Sequence, residues 1–293
     1  MCANASSTGT ESFVGGVSDG SIGLAAMRFT NPLTKSLSWQ KTWFFIEDDV
    51  HHVMVSRILS ASDAQIFSVL DQRRHTGEVI LDNVEAQTLE NAQVNSSLWH
   101  GNVGYSFDQL GSGDKVLVRV EKRSGNWSTI GTSNQPPTSA VVFTALIEHR
   151  NHSALVSYTV FPGTTPETFE RKRSQLRLRT IENSENISAI FDEQHNAIYV
   201  TFWDPSGGTV TCNSSSFAPI TITASGNIAL MYKLETGNIT VADPSQHLVA
   251  VSVVMILGLG NNPPKWGVEK MKTFQFALPS DGLAGSSVSQ TFT

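Results

Sequence analysis

From Lys115 to Lys122 the chain alternates, with Val116, Val118 and Val120 interleaved by Lys115, Leu117, Arg119 and Glu121. A period of two sends successive side chains to opposite faces, so this segment predicts a half-buried strand with one wet face. Similar β-branched and aromatic runs, separated by Gly, Asn, Asp and Pro, recur along the chain, while helical periodicity is nearly absent. The pattern predicts an all-β protein. Residues 43–46 and 50–58 flank the acidic turn Glu47-Asp48-Asp49, which makes them a hairpin. Further strands are expected over 140–148, 154–161, 187–191, 197–203, 220–223, 228–234 and 247–257.

One segment breaks this rhythm. Pro162-Gly163-Thr164-Thr165-Pro166 is turn-rich, and Glu167 to Arg173 is densely charged, which places a domain boundary there. The expected organisation is a large sheet assembly over residues 1–165, a smaller β-sandwich over 166–279, and a frayed Ser/Gly-rich tail over 280–293. The longest apolar run, 248–257, is about half of what a membrane helix needs, so it reads as a buried strand. The balance of 20 Lys+Arg against 26 Asp+Glu, a net charge of −6, argues against a general nucleic-acid or anionic-membrane binder. No basic segment followed by an apolar one opens the chain, so no signal peptide is visible. Seven Asn-x-Ser/Thr sequons point instead to the secretory pathway: Asn4, Asn95, Asn126, Asn151, Asn186, Asn213 and Asn238. The expectation is an extracellular glycoprotein whose leader lies outside this chain. Cys2 and Cys212 permit at most one bridge and do not decide the compartment.

The sequence holds no H-E-x-x-H zinc motif, Walker loop or dinucleotide fingerprint. Gly111-Ser112-Gly113-Asp114-Lys115 resembles a phosphate loop superficially, but it runs into a strand and reads as a hairpin turn. His51 and His52 are adjacent on a strand and point to opposite faces, so they cannot share a metal. His149 and His152 lack a visible third ligand, and the Glu47 to Asp49 carboxylates suit a solvated turn. No metal or cofactor is expected. Trp99 and Trp127 sit beside turns and are the candidate faces for stacking a sugar ring, whereas Trp43 and Trp203 read as core. A basic cluster, Arg171, Lys172, Arg173, Arg177 and Arg179, stands out in an acidic chain. Arg177 and Arg179 are expected on one strand face, either protecting a sheet edge or contacting an acidic polysaccharide.

Several segments, taken in order, resemble the enzymes of polysaccharide lyase family 8, the hyaluronate, chondroitin AC and xanthan lyases. They are Phe13-Val14-Gly15-Gly16-Val17-Ser18-Asp19-Gly20 with Gly23-Leu24-Ala25-Ala26-Met27, Lys41 to Asp49, Thr76-Gly77-Glu78, Trp99 to Tyr105, Gly125 to Ser128, Tyr158 to Gly163 and Ala242 to Gln246. The resemblance implies a large antiparallel β-supersandwich followed by a smaller C-terminal β-sandwich. It also implies β-elimination on an acidic, uronate-containing polysaccharide. In the family the catalytic Asn, His, Tyr and Arg lie on an N-terminal helical toroid, with supporting and calcium-binding residues just before the Gly-Gly-Val-Ser-Asp-Gly motif. None of these positions is matched here, so no catalytic residue is assigned and the toroid is expected as a missing partner. Without it, the sheet edge beside Gly15 to Met27 is expected to lie open. Two rival readings remain: a free-standing carbohydrate-binding or structural β-protein, and a small mutarotase-like enzyme. The second would need a His pair and a Glu in one open cleft, whereas His100, His149 and His195 are expected on unrelated loops.

Overall fold

The computed structural model describes residues 9–87, 89–152 and 154–292. In chain order the first strands are β1 (Val14–Ser18), β2 (Gly23–Thr30), β3 (Leu37–Ile46), β4 (Val50–Ser60), β5 (Ile66–Arg74), β6 (Val79–Leu81) and β7 (Val84–Glu85). They are followed by β8 (Ala92–Val94), β9 (Ser97–His100), β10 (Val103–Gln109), β11 (Lys115–Gly125), β12 (Thr138–His149) and β13 (Val156–Pro162). After the helix α1 (Pro166–Gln175) come β14 (Leu178–Asn183), β15 (Ile187–Asp192), β16 (Ala197–Phe202), β17 (Gly208–Cys212) and β18 (Ile220–Ala224). The last are β19 (Ala229–Lys233), β20 (Asn238–Ala242), β21 (Ala250–Leu257), β22 (Met271–Ala277) and β23 (Val288–Thr291). The chain is all-β, as its alternation predicts, and among the described residues every strand pairing is antiparallel.

Four sheets result. A nine-stranded sheet runs β1-β2-β3-β4-β13-β10-β9-β6-β7 and a four-stranded sheet β5-β12-β11-β8; a six-stranded sheet runs β14-β15-β16-β19-β20-β23 and a second four-stranded sheet β17-β18-β21-β22. Burial explains their stacking. Val116, Val118, Phe143 and Ile147 of the first four-stranded sheet meet Val53, Val55, Leu98 and Tyr158 of the nine-stranded sheet. The opposite face of the nine-stranded sheet presents Phe44, Ile46 and Met54 to Ile190, Tyr199, Trp203 and Met231, on or beside the six-stranded sheet. The other face of that sheet, through Phe191, Ile198 and Val200, closes on Ile222, Val253 and Met255. Being covered on both sides, β15 and β16 are buried at every position, and their near-continuous apolar runs follow from it.

The β3–β4 hairpin forms as expected, with Ile46 opposite Val50 across the acidic turn. Three other expectations are corrected. The charged run Glu167 to Arg173, expected only as a break in the strand rhythm, is helical and lies within α1, where Pro166 takes the first turn and Thr165 Oγ1 accepts from Thr168 N at 3.2 Å. Only Phe169 of this helix is buried, so the segment carries no apolar stripe for periodicity to detect. The tail is not frayed throughout: β23 pairs with β20, and Phe292 packs against Trp266 and Tyr232 at ring separations of 5.2 Å. Gly111 to Lys115 does form a turn, Asp114 N donating to Gly111 O at 2.9 Å, but not a hairpin. It carries the chain from β10 in the nine-stranded sheet to β11 in the four-stranded one.

Candidate functional site

Along β3, Gln40, Thr42, Phe44 and Ile46 are buried toward the six-stranded sheet, so Trp39, Lys41 and Trp43 necessarily project from the opposite face. The narrower four-stranded sheet ends there at its edge strand β5. The mismatch leaves a groove of about 220 Å³ lined by Trp39, Lys41 and Trp43 on one side and Phe67, Ser68 and His149 on the other. Phe29, opposite Trp39 in the β2–β3 register, stacks on it at 5.1 Å.

Lys41 Nζ lies 5.0 Å from the Trp43 ring centroid and 5.7 Å from that of Tyr158. Burial pushes its pKa down to about 8, so near neutral pH it remains largely protonated. Among the described residues no carboxylate pairs with it. Across the groove Ser68 Oγ and His149 Nε2 are 2.7 Å apart. Burial pushes the His149 pKa down, opposed by Asp114, whose Oδ2 is 3.7 Å from Nδ1. The groove therefore offers flat apolar faces, one cation and a hydroxyl–imidazole pair. It holds no carboxylate.

The sequence-predicted residues lie elsewhere. Trp99 is buried, and its Nε1 donates to Thr164 O at 2.9 Å; it braces the chain entering α1 and has no free face for a sugar. Trp127 is 56% exposed on a short turn capped by Asn126, whose Oδ1 accepts from Ser128 N. Arg177 and Arg179 do not form a free basic stripe. Arg177 precedes β14, its Nη1 donating to Ser174 O at 3.0 Å and Leu176 O at 3.1 Å at the end of α1. Arg179 pairs with Glu193 at 3.0 Å, donates to Asn213 O and lies over Phe191. β14, which carries Arg179, is an edge strand of the six-stranded sheet.

The acidic turn is engaged by protein groups. Asp48 O accepts from Lys172 Nζ at 2.7 Å, and Asp48 Oδ2 lies 3.7 Å from His195 Nε2, whose Nδ1 is 2.8 Å from Asp192 Oδ2. His52 is buried, Nδ1 at 2.9 Å from Thr159 Oγ1, while His51 packs against Phe45 on the other face. His100 stacks between His75 and Phe143 inside the fold. Among the described residues no group of three or more His, Cys, Asp or Glu side chains is arranged to hold a metal. Cys212 is free and buried, and Cys2 and Asn4 lie outside the described residues. Of the sequons, Asn95, Asn151, Asn186 and Asn213 are exposed, and Asn126 and Asn238 half-buried.

Sequence reasoning missed Trp39, Lys41 and Trp43 as a set. The signal was present in the spacing Trp-x-Lys-x-Trp within a strand, which puts all three on one face.

The chain matches the super-sandwich domain of polysaccharide lyase family 8 over residues 2–173 and the C-terminal β-sandwich domain of the same family over residues 179–252. Chondroitinase-AC of Pedobacter heparinus is 27% identical over 247 residues, which are 81% of this chain and 33% of that protein. Hyaluronate lyase HylB of Enterococcus faecalis is 24% identical over 268 residues, 82% of this chain and 25% of that protein. A chondroitinase AC lyase solved with oligosaccharides superimposes with a TM-score of 0.81 at 23% identity, covering 96% of this chain and 40% of the enzyme. A Paenibacillus xanthan lyase gives 0.78 at 21% identity, covering 99% and 29%. This chain thus spans a third or less of the length of the two curated relatives.

Proposed function

Because the chain belongs to polysaccharide lyase family 8, we propose that it forms the β-domain portion of a secreted lyase that cleaves uronate-containing polysaccharides of the hyaluronan, chondroitin or xanthan type by β-elimination. In that reaction a base removes the C5 proton of the uronate and an acid protonates the departing oxygen. The observation that carries the reading is the ordered match to both β-domains of the family, with relatives named for chondroitin and hyaluronate cleavage. Exposure of four sequons supports the secreted compartment. The acid–base groups belong to a helical domain that works beside these sheets; no residue of this chain is assigned to the proton transfers.

The test is direct. The isolated chain mixed with hyaluronan, chondroitin or xanthan is expected to give no ultraviolet absorbance from unsaturated uronate, whereas joining it to a family helical domain restores the rise. Turnover by the purified chain alone would overturn the division of labour. The other reading, a free-standing carbohydrate-binding β-protein, draws on the aromatic groove; it predicts sugar binding with no activity in either form.

A further inference from the structure

We propose that the groove between β3 and β5 is a binding site for one acidic pyranose, its ring held between the Trp39 and Trp43 indoles and its carboxylate or sulfate on the Lys41 ammonium. The choice of a sugar rests on the function proposed above; the anion requirement does not.

Three observations converge on it. Lys41 carries a charge into an aromatic setting without a carboxylate partner among the described residues, and its hydrogen-bonding protons meet two ring faces. Ring faces offset only part of the desolvation of an ammonium, so the site is completed by an anion that supplies hydrogen-bond acceptors. The residues lining the groove include no Asp or Glu, so Lys41 sets its sign as positive in a chain of net charge −6. Its titratable lining groups are Lys41 and His149, with Asp114 behind the latter.

The shape restricts what enters. A groove of about 220 Å³ is smaller than the roughly 300 Å³ at which pockets for drug-sized molecules begin, so it takes a single ring and its substituent rather than a stretch of polymer. Trp43, with the cation over its ring, walls one end, and the Phe29–Trp39 stack walls the other. Ser68 Oγ, held by His149, stands across the groove where a ring hydroxyl can exchange a hydrogen bond with it.

The experiment uses the isolated chain and three probes: methyl glucuronide, a sulfated N-acetylgalactosamine and neutral methyl glucoside. Each is titrated while the indole N–H signals of Trp39 and Trp43 are followed by NMR. At least one acidic sugar is expected to shift both signals and to bind about tenfold more tightly than the glucoside, a charge-assisted hydrogen bond being of that size. The acidic probe that binds identifies the anion. Lys41→Gln is expected to remove this preference, and Lys41→Arg to keep it; circular dichroism checks that both variants fold. Equal binding of acid and neutral sugars, an unaltered preference in Lys41→Gln, or no binding of any probe would overturn the site. So would loss of binding when a helical domain is joined to the chain, which would make the groove a docking face. No turnover is read, so failure here leaves the lyase reading standing.

Discussion

Lys41 and Asp243 are opposite solutions to keeping charge inside a β-protein. Lys41 is desolvated without a carboxylate, and its pKa falls to about 8. Below that pH the folded and unfolded chains both hold the proton, and the folded one bears the full desolvation penalty. Between about 8 and the ordinary lysine value of 10.5, the unfolded chain keeps a proton that the folded chain has lost, so stability from this group rises with pH. Lys41→Met is therefore expected to raise Tm at pH 7, with the advantage shrinking as pH climbs through that window. An advantage that does not change with pH would refute the assignment. Asp243 is buried but fully engaged: Oδ1 accepts from Ser245 N at 2.7 Å and Ser245 Oγ at 2.6 Å, and Oδ2 accepts from His247 N and Leu248 N, both at 2.7 Å. Asp243→Ala leaves three backbone N–H groups without this acceptor. A loss of about 3 kcal/mol in urea unfolding is expected, with Asp243→Asn recovering part of it.

The helix α1 is seated by a missing atom on a strand. A Cβ on Gly104 of β10 would fall 2.1 Å from the Phe169 ring, so the only buried residue of the helix occupies the space that glycine leaves. Gly104→Ala is expected to destabilise by about 2 kcal/mol through overpacking, and Phe169→Ala by about 3 kcal/mol through the lost ring. In the double variant the new methyl enters the vacated space, so its loss should be smaller than the sum; additivity in a double-mutant cycle would sink this account. The strands were legible in the sequence because a half-buried strand writes its environment into every second residue, as Lys115 to Lys122 does. The helix was not, since one anchor at Phe169 leaves no repeating pattern. Trp99 and Trp127 both flank turns, but a turn reveals nothing about what folds over it: Trp127 stays exposed, while the Thr164 carbonyl sits at the buried Trp99 indole. The groove was hidden for a different reason. It exists because nine strands face four, a difference in sheet width that no local stretch encodes.

At the scale of the whole molecule the six-stranded sheet joins everything, since one face completes the core it shares with the nine-stranded sheet and the other completes the C-terminal sandwich. The sheet edge expected to lie open beside Gly15 is met by the C-terminal region: Val14 N donates to Pro244 O at 3.2 Å and Ser18 N to Ser287 Oγ at 3.0 Å. Gly15 permits this approach, a Cβ there falling 2.9 Å from Pro244 Cα. Arg28 adds a bond from Nη2 to Trp203 O at 2.9 Å. A single unfolding transition is therefore expected by calorimetry, and Trp203→Ala, removing a fully buried indole from the shared layer, should lower its midpoint without splitting it. Two resolved transitions would show that the halves fold independently. The doubly covered sheet also constrains how such a protein can be recombined. A crossover at α1 between two relatives would pair a six-stranded sheet from one parent with a nine-stranded sheet from the other, and Tyr199, Trp203 and Met231 would meet a surface they had not been matched to. Viable chimeras should therefore exchange the Phe44, Ile46 and Met54 face together with the sheet it covers, so the unit of inheritance is larger than either sandwich.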